Sequence, residues 1–321
     1  MIYRGLESIG SGFGPSVVTI GNFDGVHAGH RRLLQRTAAI AAEIHAVPTA
    51  LTFDPHPATV VAPQRAPRLL TTLEERAELM RQHGIRRVVI LSFDRSFASL
   101  TPEEFVRGVL VGALQVRAVL VGENFRFGGR QAGDAAVLAA LGEIYGFRTE
   151  IVSGVRRRGV LVSSTVIRRL IESGQVSRAA RLLDRPYALE GPVVPGRGIG
   201  SRQTAPTLNL ETPAEVLPAA GVYITYASDS FSGSRRWSSV TNVGVRPTFG
   251  SGPLTIETHL LDPLDGPDPR RLRLEFLYRL RDERKFESAA ALKAQILSDA
   301  ARARRFFARL SRLGKCYSER L

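Results

Sequence analysis

The chain has 321 residues, of which 44% are hydrophobic and 23% are charged. At about 150 residues per domain, this length predicts two domains, and the composition excludes a chain that is disordered throughout. The longest apolar stretch, residues 109–122, contains Gln115 and Arg117 and is too short to cross a bilayer. We therefore expect a folded, soluble protein with no membrane partner.

The charge balance is strongly basic, with 44 Lys and Arg against 30 Asp and Glu and a formal net charge of +14. Such a surplus fits either nucleic acid or anionic small molecules such as nucleotides. The arginines are interspersed with acidic residues, and their densest run, residues 156–158, is short, which favours small molecules. The lone Cys316 excludes an internal disulfide and a cysteine-based zinc site, and the first twenty residues lack a signal-like pattern, so we expect a cytoplasmic protein.

Short Val/Ile/Leu runs alternate with amphipathic stretches through about residue 184. This alternation predicts a doubly wound, Rossmann-like α/β domain, with a parallel sheet covered by helices. The predicted strands are residues 16–21, 47–53, 87–93, 117–122 and 147–152. The predicted helices are residues 30–43, 73–83, 102–112, 134–145, 164–173 and 176–183.

After residue 186, short β-branched runs are separated by Gly, Pro and Asp, which predicts a small closed antiparallel β-barrel. Its predicted strands are residues 187–194, 221–227, 236–243, 254–261 and 272–277, and a long helix follows at 288–310. We place the domains at 1–184 and 187–321. The alternative boundary, near Gly159, assigns the helices at 164–173 and 176–183 to the second domain.

The segment 19–30 runs from a predicted strand into a predicted helix. Gly21 and Gly25 let the backbone approach a ligand closely, and N–H groups at the helix start attract phosphate. His27 and His30 have helical spacing, so both rings can face one phosphate chain and donate to oxygens that gain charge in a transfer reaction. The alternative is a structural pair of helix-start histidines.

The segment 122–128 follows a later strand, where open α/β sheets place their ligands. Asn124 can bond a ribose or a phosphate, and Arg126 can meet an anion. Phe125 and Phe127 can contact a flat ring, although core packing is the alternative for each of them.

The segment 163–168 opens the helix predicted at 164–173. Ser164 and Thr165 offer hydroxyls at the helix start, and Arg168 lies about one turn later. Together they present N–H donors and a cation to a phosphate, whereas helix capping alone is the alternative.

These three segments, in this order, resemble the bacterial bifunctional riboflavin kinase/FMN adenylyltransferases, also called FAD synthetases. The resemblance implies that the first domain is a nucleotidyltransferase that joins AMP from ATP to FMN and releases pyrophosphate, with Mg²⁺ accompanying ATP. It also implies that residues 54–57 lie near the flavin. The residues expected at ATP and its phosphates are Gly21, Phe23, Gly25, His27, His30, Asn124, Ser164, Thr165 and Arg168. Those expected near the flavin are His56, Phe125, Arg126 and Phe127.

A second group of candidate residues lies in the β-rich half. Thr207 and Asn209 are two apart, so on a strand they share one face and offer a hydroxyl and a carboxamide oxygen suited to Mg²⁺. The glycine-rich segment just before them is expected to be a nucleotide loop, with Gly196, Gly198 and Gly200.

Glu257 shares a predicted strand face with Thr255 and His259, opposite Ile256 and Thr258. A carboxylate there can accept a hydroxyl proton, and the alternative is a solvated strand residue. The segments 206–209, 242–249 and 280–286 resemble the riboflavin kinase module of the same family. The resemblance implies that Thr207 and Asn209 hold Mg²⁺ and that Glu257 activates the 5′-hydroxyl of riboflavin.

The chain departs from the kinase pattern at three places. Leu208 replaces the usual alanine, Thr204 stands where glycine is usual, and residues 263–269 are unlike the family. The Thr204 departure alone supports a rival hypothesis, an adenylyltransferase whose barrel binds flavin without phosphorylating it. A third hypothesis is an arginine-rich nucleic-acid-binding protein.

We favour the bifunctional enzyme, with His27, His30 and Glu257 as its catalytic residues. Its expected partners are ATP, riboflavin and FMN, with proteins that require FMN or FAD as acceptors and no nucleic acid.

Overall fold

A computed structural model describes residues 1–10, 12–195, 207–230, 235–247, 251–264 and 266–312, with only the backbone at 245–247 and 251–254. The predicted nucleotide loop at Gly196, Gly198 and Gly200 therefore lies outside the described residues, as do Thr204 and Cys316. Within the described ranges, no helix combines the length and apolar composition needed to cross a bilayer.

The chain divides into two compact units, Met1–Ser164 and Thr165–Leu321. The first contains a six-stranded parallel sheet with strand order β1-β4-β3-β2-β5-β8. The strands of this sheet are β1 Ile2–Arg4, β2 Ser16–Ile20, β3 Val47–Asp54, β4 Arg87–Ser92, β5 Val116–Gly122 and β8 Arg148–Val152. Two small two-stranded sheets add β6 Arg126–Phe127 with β7 Gly133–Asp134, and β9 Arg156–Arg157 with β10 Val160–Leu161. The helices of this unit are α1 Ala28–Glu43, α2 Pro57–Val61, α3 Leu73–Gln82, α4 Arg95–Ala98, α5 Pro102–Glu104 and α6 Ala135–Tyr145.

Strand β2 shows why the parallel sheet can be predicted from the sequence. All five of its residues are buried. Val17 belongs to the core cluster that contains Leu34 of α1, whereas Val18 belongs to the cluster that contains Leu110. A strand covered on both faces needs apolar or small residues at every position. The parallel sheet covered on both faces confirms the predicted α/β fold.

The helix predicted at 102–112 differs in its geometry. After α5 the chain continues as a π-helical segment, Phe105–Ala113, in which the Leu114 N–H donates to the Val109 carbonyl five residues back at 2.9 Å. Phe105, Val106 and Leu110 stay buried in the core. The apolar spacing therefore predicts the buried face correctly, although it does not reveal the wider turn.

The second unit contains a closed antiparallel barrel with strand order β11-β12-β15-β14-β13-β16, which confirms the predicted barrel. Its strands are β11 Tyr187–Val194, β12 Thr207–Leu210, β13 Gly221–Asp229, β14 Arg236–Pro247, β15 Ser251–Leu260 and β16 Arg271–Arg281. The remaining helices are α7 Ser164–Glu172, α8 Val176–Leu183 and α9 Ala289–Arg312.

The barrel has a partly polar interior and an apolar patch on its outer face. Inside it, hydroxyls at Thr225, Ser239 and Thr241 are fully buried, with both neighbours 2.7 Å from the Thr225 Oγ1. Outside, Val222 and Ala303 belong to one buried cluster that joins the barrel wall to α9. The terminal helix is therefore part of the barrel's packing.

Helices α7 and α8 belong mostly to the second unit. In α8, Val176, Ala180 and Leu183 are buried, and the helix packs against β11 and β16. In α7, the Ile171 carbonyl accepts from the Ala219 N–H at 3.4 Å. This grouping corresponds to the alternative boundary near Gly159, and the extent of each independently folding domain remains a prediction.

We expect the fragment 165–321 to be more stable than the fragment 187–321. Removing α7 and α8 exposes several buried apolar side chains, each worth about 1.5–3 kcal/mol, so the melting temperature of the shorter fragment should fall by at least about 10 °C. Thermal unfolding followed by circular dichroism measures the difference. Equal melting temperatures would show that the two helices do not stabilise the barrel.

Candidate active sites

The first two motifs leave the ends of neighbouring strands. Strands β2 and β5 lie side by side, and the chain passes from β2 to β3 and β4 on one side before it returns to β5 on the other. Residues 21–30 follow β2, and residues 122–128 follow β5. Both segments therefore lie at the point where the strand order reverses, which is where doubly wound sheets bind ligands.

His27 and His30 form a stacked pair at the start of α1. Their ring centroids are 3.6 Å apart with an interplanar angle of 13°. His27 is the N-cap of α1, and its Nδ1 accepts from the backbone N–H of His30 at 3.3 Å. A neutral His27 therefore carries its ring hydrogen on Nε2, which leaves that atom as a donor. A Cβ on Gly29 would lie 3.2 Å from the His27 ring, so glycine preserves the space that the ring uses.

Phe23, Gly21 and Gly25 shape the loop before His27 and His30. Phe23 is fully buried, and its ring meets the His30 ring edge to face at 5.3 Å. Gly25 has a φ of 79°, and its N–H donates to the Thr71 Oγ1 at 3.1 Å. The Phe23 ring thus packs against His30 and supports it. The Gly25 N–H is already bonded to the Thr71 hydroxyl.

A buried polar network holds the same loop, and sequence analysis missed it. Asp24 is 2% exposed and accepts from the Leu70 N–H at 2.9 Å and the Thr71 N–H at 3.2 Å. Arg76 is also 2% exposed, and its guanidinium lies 3.8 Å from the Asp24 carboxylate. The carbonyl of Asp24 accepts from the Ser164 Oγ at 2.9 Å. Asp24 therefore connects the loop that carries His27 and His30 to the residues just before α3 and to Ser164.

We expect Asp24→Asn to destabilise the first unit by about 3 kcal/mol or more. The substitution turns one acceptor into a donor that faces backbone N–H groups, and it removes the negative charge 3.8 Å from the buried Arg76. Asp94→Asn is the matched control, because Asp94 is an exposed N-cap and asparagine caps equally well. Urea unfolding measures both variants, and equal small losses would contradict the role given to Asp24.

The segment 122–128 divides into buried and accessible residues. Phe127 is 8% exposed and belongs to the core, and Phe125 stacks on it with centroids 5.3 Å apart. Core packing, the alternative considered for Phe127, accounts for its position. Asn124 and Arg126 are exposed, so their side chains remain available to a ligand.

His56 lies beside the first motif. Its Nδ1 accepts from the Ala58 N–H at 3.2 Å and so caps α2, while its Nε2 lies 3.0 Å from the Asn22 carboxamide. The Asn22 atom at that distance is the carboxamide nitrogen, Nδ2. The segment 54–57 therefore reaches the loop that follows β2.

The third motif begins α7. Ser164 is the first residue of the helix, and its hydroxyl bonds the Asp24 carbonyl, as described above. Thr165 is exposed, and Arg168 follows Ser164 by about one turn with its side chain half-buried. Ser164, the last residue of the first unit, thus lies beside the loop that carries His27 and His30.

The kinase residues form a row across three barrel strands. Asn209 on β12 is paired with Glu257 on β15, which is paired in turn with Asn242 on β14. Thr207 is paired with His259, so Thr207 and Asn209 occupy successive positions of the same face. The row brings together hydroxyl, carboxamide and carboxylate groups that are far apart in sequence.

Burial follows the expected alternation on β15. Ile256 and Thr258 are buried, whereas Glu257 is exposed. Burial and the charge of Arg304 lower the pKa of His259, which favours a neutral ring at neutral pH. Leu208 is buried and paired with Thr258, so the leucine that replaces the usual alanine fits the barrel interior.

The segment after β16 contributes a second carboxylate to this face. A Cβ on Gly244 would overlap the Glu283 carboxylate, which places Glu283 against the Gly244 backbone and close to Asn242. Arg281 anchors the segment, since its Nε and its terminal nitrogen bond the Asp299 carboxylate of α9 at 2.9 and 2.8 Å. Residues 280–286 were noted in the sequence only through their resemblance to the kinase module, and Glu283 was not singled out.

Comparison with known proteins gives a consistent result for both units. A family model described as FAD synthetase matches residues 12–166, and one described as riboflavin kinase matches residues 183–307. The bifunctional riboflavin kinase/FMN adenylyltransferase of Escherichia coli K12 is 36% identical over 91% of this chain and 92% of its own length. The Pseudomonas fluorescens protein of the same name is 36% identical over 94% of this chain and 96% of its own.

A solved structure extends the similarity to the whole fold. A Streptococcus pneumoniae protein described as a macrolide-efflux protein superposes with a TM-score of 0.84 at 26% identity, covering 95% of this chain and 98% of that one. Taken with the matches to both family models, these relatives show that the chain belongs to the family of bifunctional riboflavin kinase/FMN adenylyltransferases.

Proposed function

We propose that this chain phosphorylates riboflavin to FMN in its barrel unit and then transfers AMP from ATP to FMN in its α/β unit, giving FAD. The observation that carries the proposal is the presence of two separate sites with complementary chemistry. The first is the stacked pair of His27 and His30 at a helix start. The second is the row of Asn209, Glu257 and Asn242 on the barrel.

In the adenylyl step, a phosphate oxygen of FMN attacks the α-phosphorus of ATP. The new P–O bond forms as the bond to the leaving pyrophosphate breaks, so no covalent enzyme intermediate is needed. His27, through Nε2, and His30 donate to phosphate oxygens that gain charge. Asn124, Thr165 and Arg168 are the proposed further contacts of ATP.

Other residues of the α/β unit act by orientation. Phe23, Gly21 and Gly25 shape the loop that carries the histidines, and the Ser164 hydroxyl holds that loop through Asp24. We place the flavin beside His56, Phe125 and Arg126. Phe127 supports Phe125 from the core.

In the kinase step, the 5′-hydroxyl of riboflavin attacks the γ-phosphorus of ATP, and ADP leaves. Glu257 accepts the hydroxyl proton. Thr207 and Asn209 would hold Mg²⁺, because a hydroxyl and a carboxamide oxygen beside a carboxylate make the hard-oxygen set that this ion prefers. When bound, Mg²⁺ neutralises charge on the transferring phosphate. Gly196, Gly198 and Gly200 are the proposed nucleotide loop.

The test supplies purified full-length protein with ATP, Mg²⁺ and either riboflavin or FMN, and separates the flavins by chromatography. We expect FMN and FAD from riboflavin, and FAD from FMN. FAD from FMN without any FMN from riboflavin would select the rival with a kinase-inactive barrel. Thr204→Gly would then be the first substitution made to restore phosphorylation.

We also propose that the protein acts in the cytoplasm, does not bind nucleic acid, and passes FMN or FAD to proteins that require them. The charge pattern supports the absence of nucleic-acid binding, because many of the described arginines are paired with carboxylates, such as Arg36 with Glu150 and Arg236 with Glu275. A strong, salt-dependent affinity for RNA would favour the nucleic-acid hypothesis instead.

A further inference from the structure

Glu283 lies in the segment that follows β16, and its carboxylate lies over β14. Its Cδ is 2.9 Å from the point where a Cβ on Gly244 would stand, and the Asn242 Nδ2 is 3.1 Å from the same point. Gly244 and Asn242 are two residues apart on β14 and therefore share one face of the strand. A side chain at position 244 would displace the Glu283 carboxylate, so the glycine gives this carboxylate its place beside Asn242.

This face of β14 is the one that carries the proposed kinase row. Asn242 is paired with Glu257 on β15, and Gly244 is paired with Thr255. Residues that are diagonal across two antiparallel strands are about 7–8 Å apart, so the Glu283 Cδ lies within about 11 Å of the Glu257 Cβ. The two carboxylates can therefore contact one small substrate that lies across β14 and β15.

The Glu283 carboxylate is not used within the described part of the protein. It forms no hydrogen bond or ion pair there, and the same holds for the side chains of Asn242 and Glu257. Arg281 and Arg284, on either side of Glu283, are bound by Asp299 and Gln295 of α9. Glu283 therefore presents its charge and both of its oxygens to a ligand on this face.

A buried carboxamide at the other end of the row also lacks a partner. Asn209 is 8% exposed, and its side chain forms no hydrogen bond among the described residues. Burying an amide without a hydrogen bond is costly, so we expect a polar ligand to complete this face. The groups at both ends of the row therefore indicate a ligand that forms hydrogen bonds along its length.

The order of the row places the alcohol substrate on the Glu283 side. Thr207 and Asn209, the proposed Mg²⁺ ligands, lie on β12, and Glu257 lies on the next strand of the barrel. In phosphoryl transfer, the attacking and leaving oxygens lie roughly in line with the phosphorus between them. ATP at β12 therefore leaves the opposite side of Glu257, over β14, for the alcohol. The 5′-hydroxyl of riboflavin then meets Glu257, and the remaining ribityl hydroxyls run past Asn242 toward Glu283.

We infer that Glu283 accepts a hydrogen bond from a secondary hydroxyl of the ribityl chain and so selects an alcohol that carries further hydroxyls. The inference rests on the proposed kinase activity of the barrel unit. An ionised carboxylate is a strong acceptor for hydroxyl groups. Since this hydroxyl takes no part in the transfer, it is bound equally in the ground state and in the transition state. Loss of the contact therefore raises KM without lowering kcat.

The first measurement compares Glu283→Ala with Glu287→Ala in the full-length chain. Glu287 is the matched control, because it is an exposed glutamate of the same segment. Glu283→Ala should raise the KM for riboflavin about tenfold with kcat unchanged, as expected for the loss of a hydrogen bond to a charged group. The control should keep the parent KM, and all three proteins should convert supplied FMN to FAD at the same rate.

The second measurement uses three riboflavin analogues, each of which lacks one secondary hydroxyl of the ribityl chain. For the parent, one analogue should have a KM about tenfold higher than riboflavin, because it leaves the carboxylate unpaired. For Glu283→Ala, that analogue and riboflavin should have KM values within about twofold of each other, because the acceptor is already gone. A purely structural role for Glu283 would instead weaken riboflavin and every analogue by the same factor.

Three results would overturn the inference and leave the proposed function intact. They are a parent-like KM for riboflavin in Glu283→Ala, an analogue penalty that is the same in parent and variant, and a change in the Mg²⁺ requirement alone. A parent that makes no FMN from riboflavin would overturn the proposed kinase activity instead. Binding of riboflavin and its analogues, followed by quenching of flavin fluorescence, would then give the same comparison between the parent and Glu283→Ala.

Discussion

Replacing His30 by alanine is expected to slow FAD formation from supplied FMN by about 100-fold or more, while riboflavin phosphorylation persists. The variant removes one donor to the developing phosphate charge and one face of the stacked pair. The helix cap survives, because His27 accepts from the backbone N–H of residue 30. The matched control is His45→Asn, at an exposed histidine of the same unit whose left-handed φ of 54° asparagine tolerates.

Arg168→Ala should give the same selective loss, since its guanidinium is the proposed cation for a phosphate of ATP. Steady-state assays of both reactions, with riboflavin and FMN supplied separately, measure these effects. FAD formation at the parent rate in both His30→Ala and Arg168→Ala would contradict the assignment of the adenylyl site.

Replacing Glu257 by glutamine is expected to lower FMN formation from riboflavin by about 100-fold or more. Glutamine keeps the shape of the side chain and its place between Asn209 and Asn242, but it cannot accept the hydroxyl proton. FAD formation from supplied FMN should persist, which also shows that the chain is folded.

Glu190→Gln is the control for this loss, because Glu190 is another strand carboxylate of the barrel and its strand, β11, lacks the proposed kinase residues. It should phosphorylate riboflavin at the parent rate. If Glu257→Gln did the same, Glu257 would be a solvated strand residue with no part in the reaction.

The fold was predictable where buried residues follow the regular spacing of a strand or a helix. Strand β2 is apolar or small at every position because both of its faces are covered, and α8 carries buried residues at helical spacing. Two of the strands that were not predicted, β1 and β12, have three and four residues, too few to display a period. Their pairing with β4 and β15 is what defines them, and such pairing is not visible in a local pattern.

The candidate site was predictable where its residues are close in sequence. The glycines and histidines of residues 21–30 reveal a phosphate loop, because one helix start brings them together. Asp24 and its partner Leu70 are 46 residues apart, and Ser164 lies 140 residues from Asp24. Their bonds depend on the folded sheet, and the same holds for Asn209 and Glu257 on neighbouring barrel strands.

The most direct test of the two-site account follows phosphorus labels from ATP into the flavins made from riboflavin. With label in the γ-phosphate, we expect it in FMN and also in FAD, since FMN is the precursor of FAD. With label in the α-phosphate, we expect it in FAD alone. Glu257→Gln should prevent entry of the γ-label, and His30→Ala should stop the γ-label at FMN. Absence of γ-label from every flavin made by the parent protein would contradict the claim that one chain carries both activities.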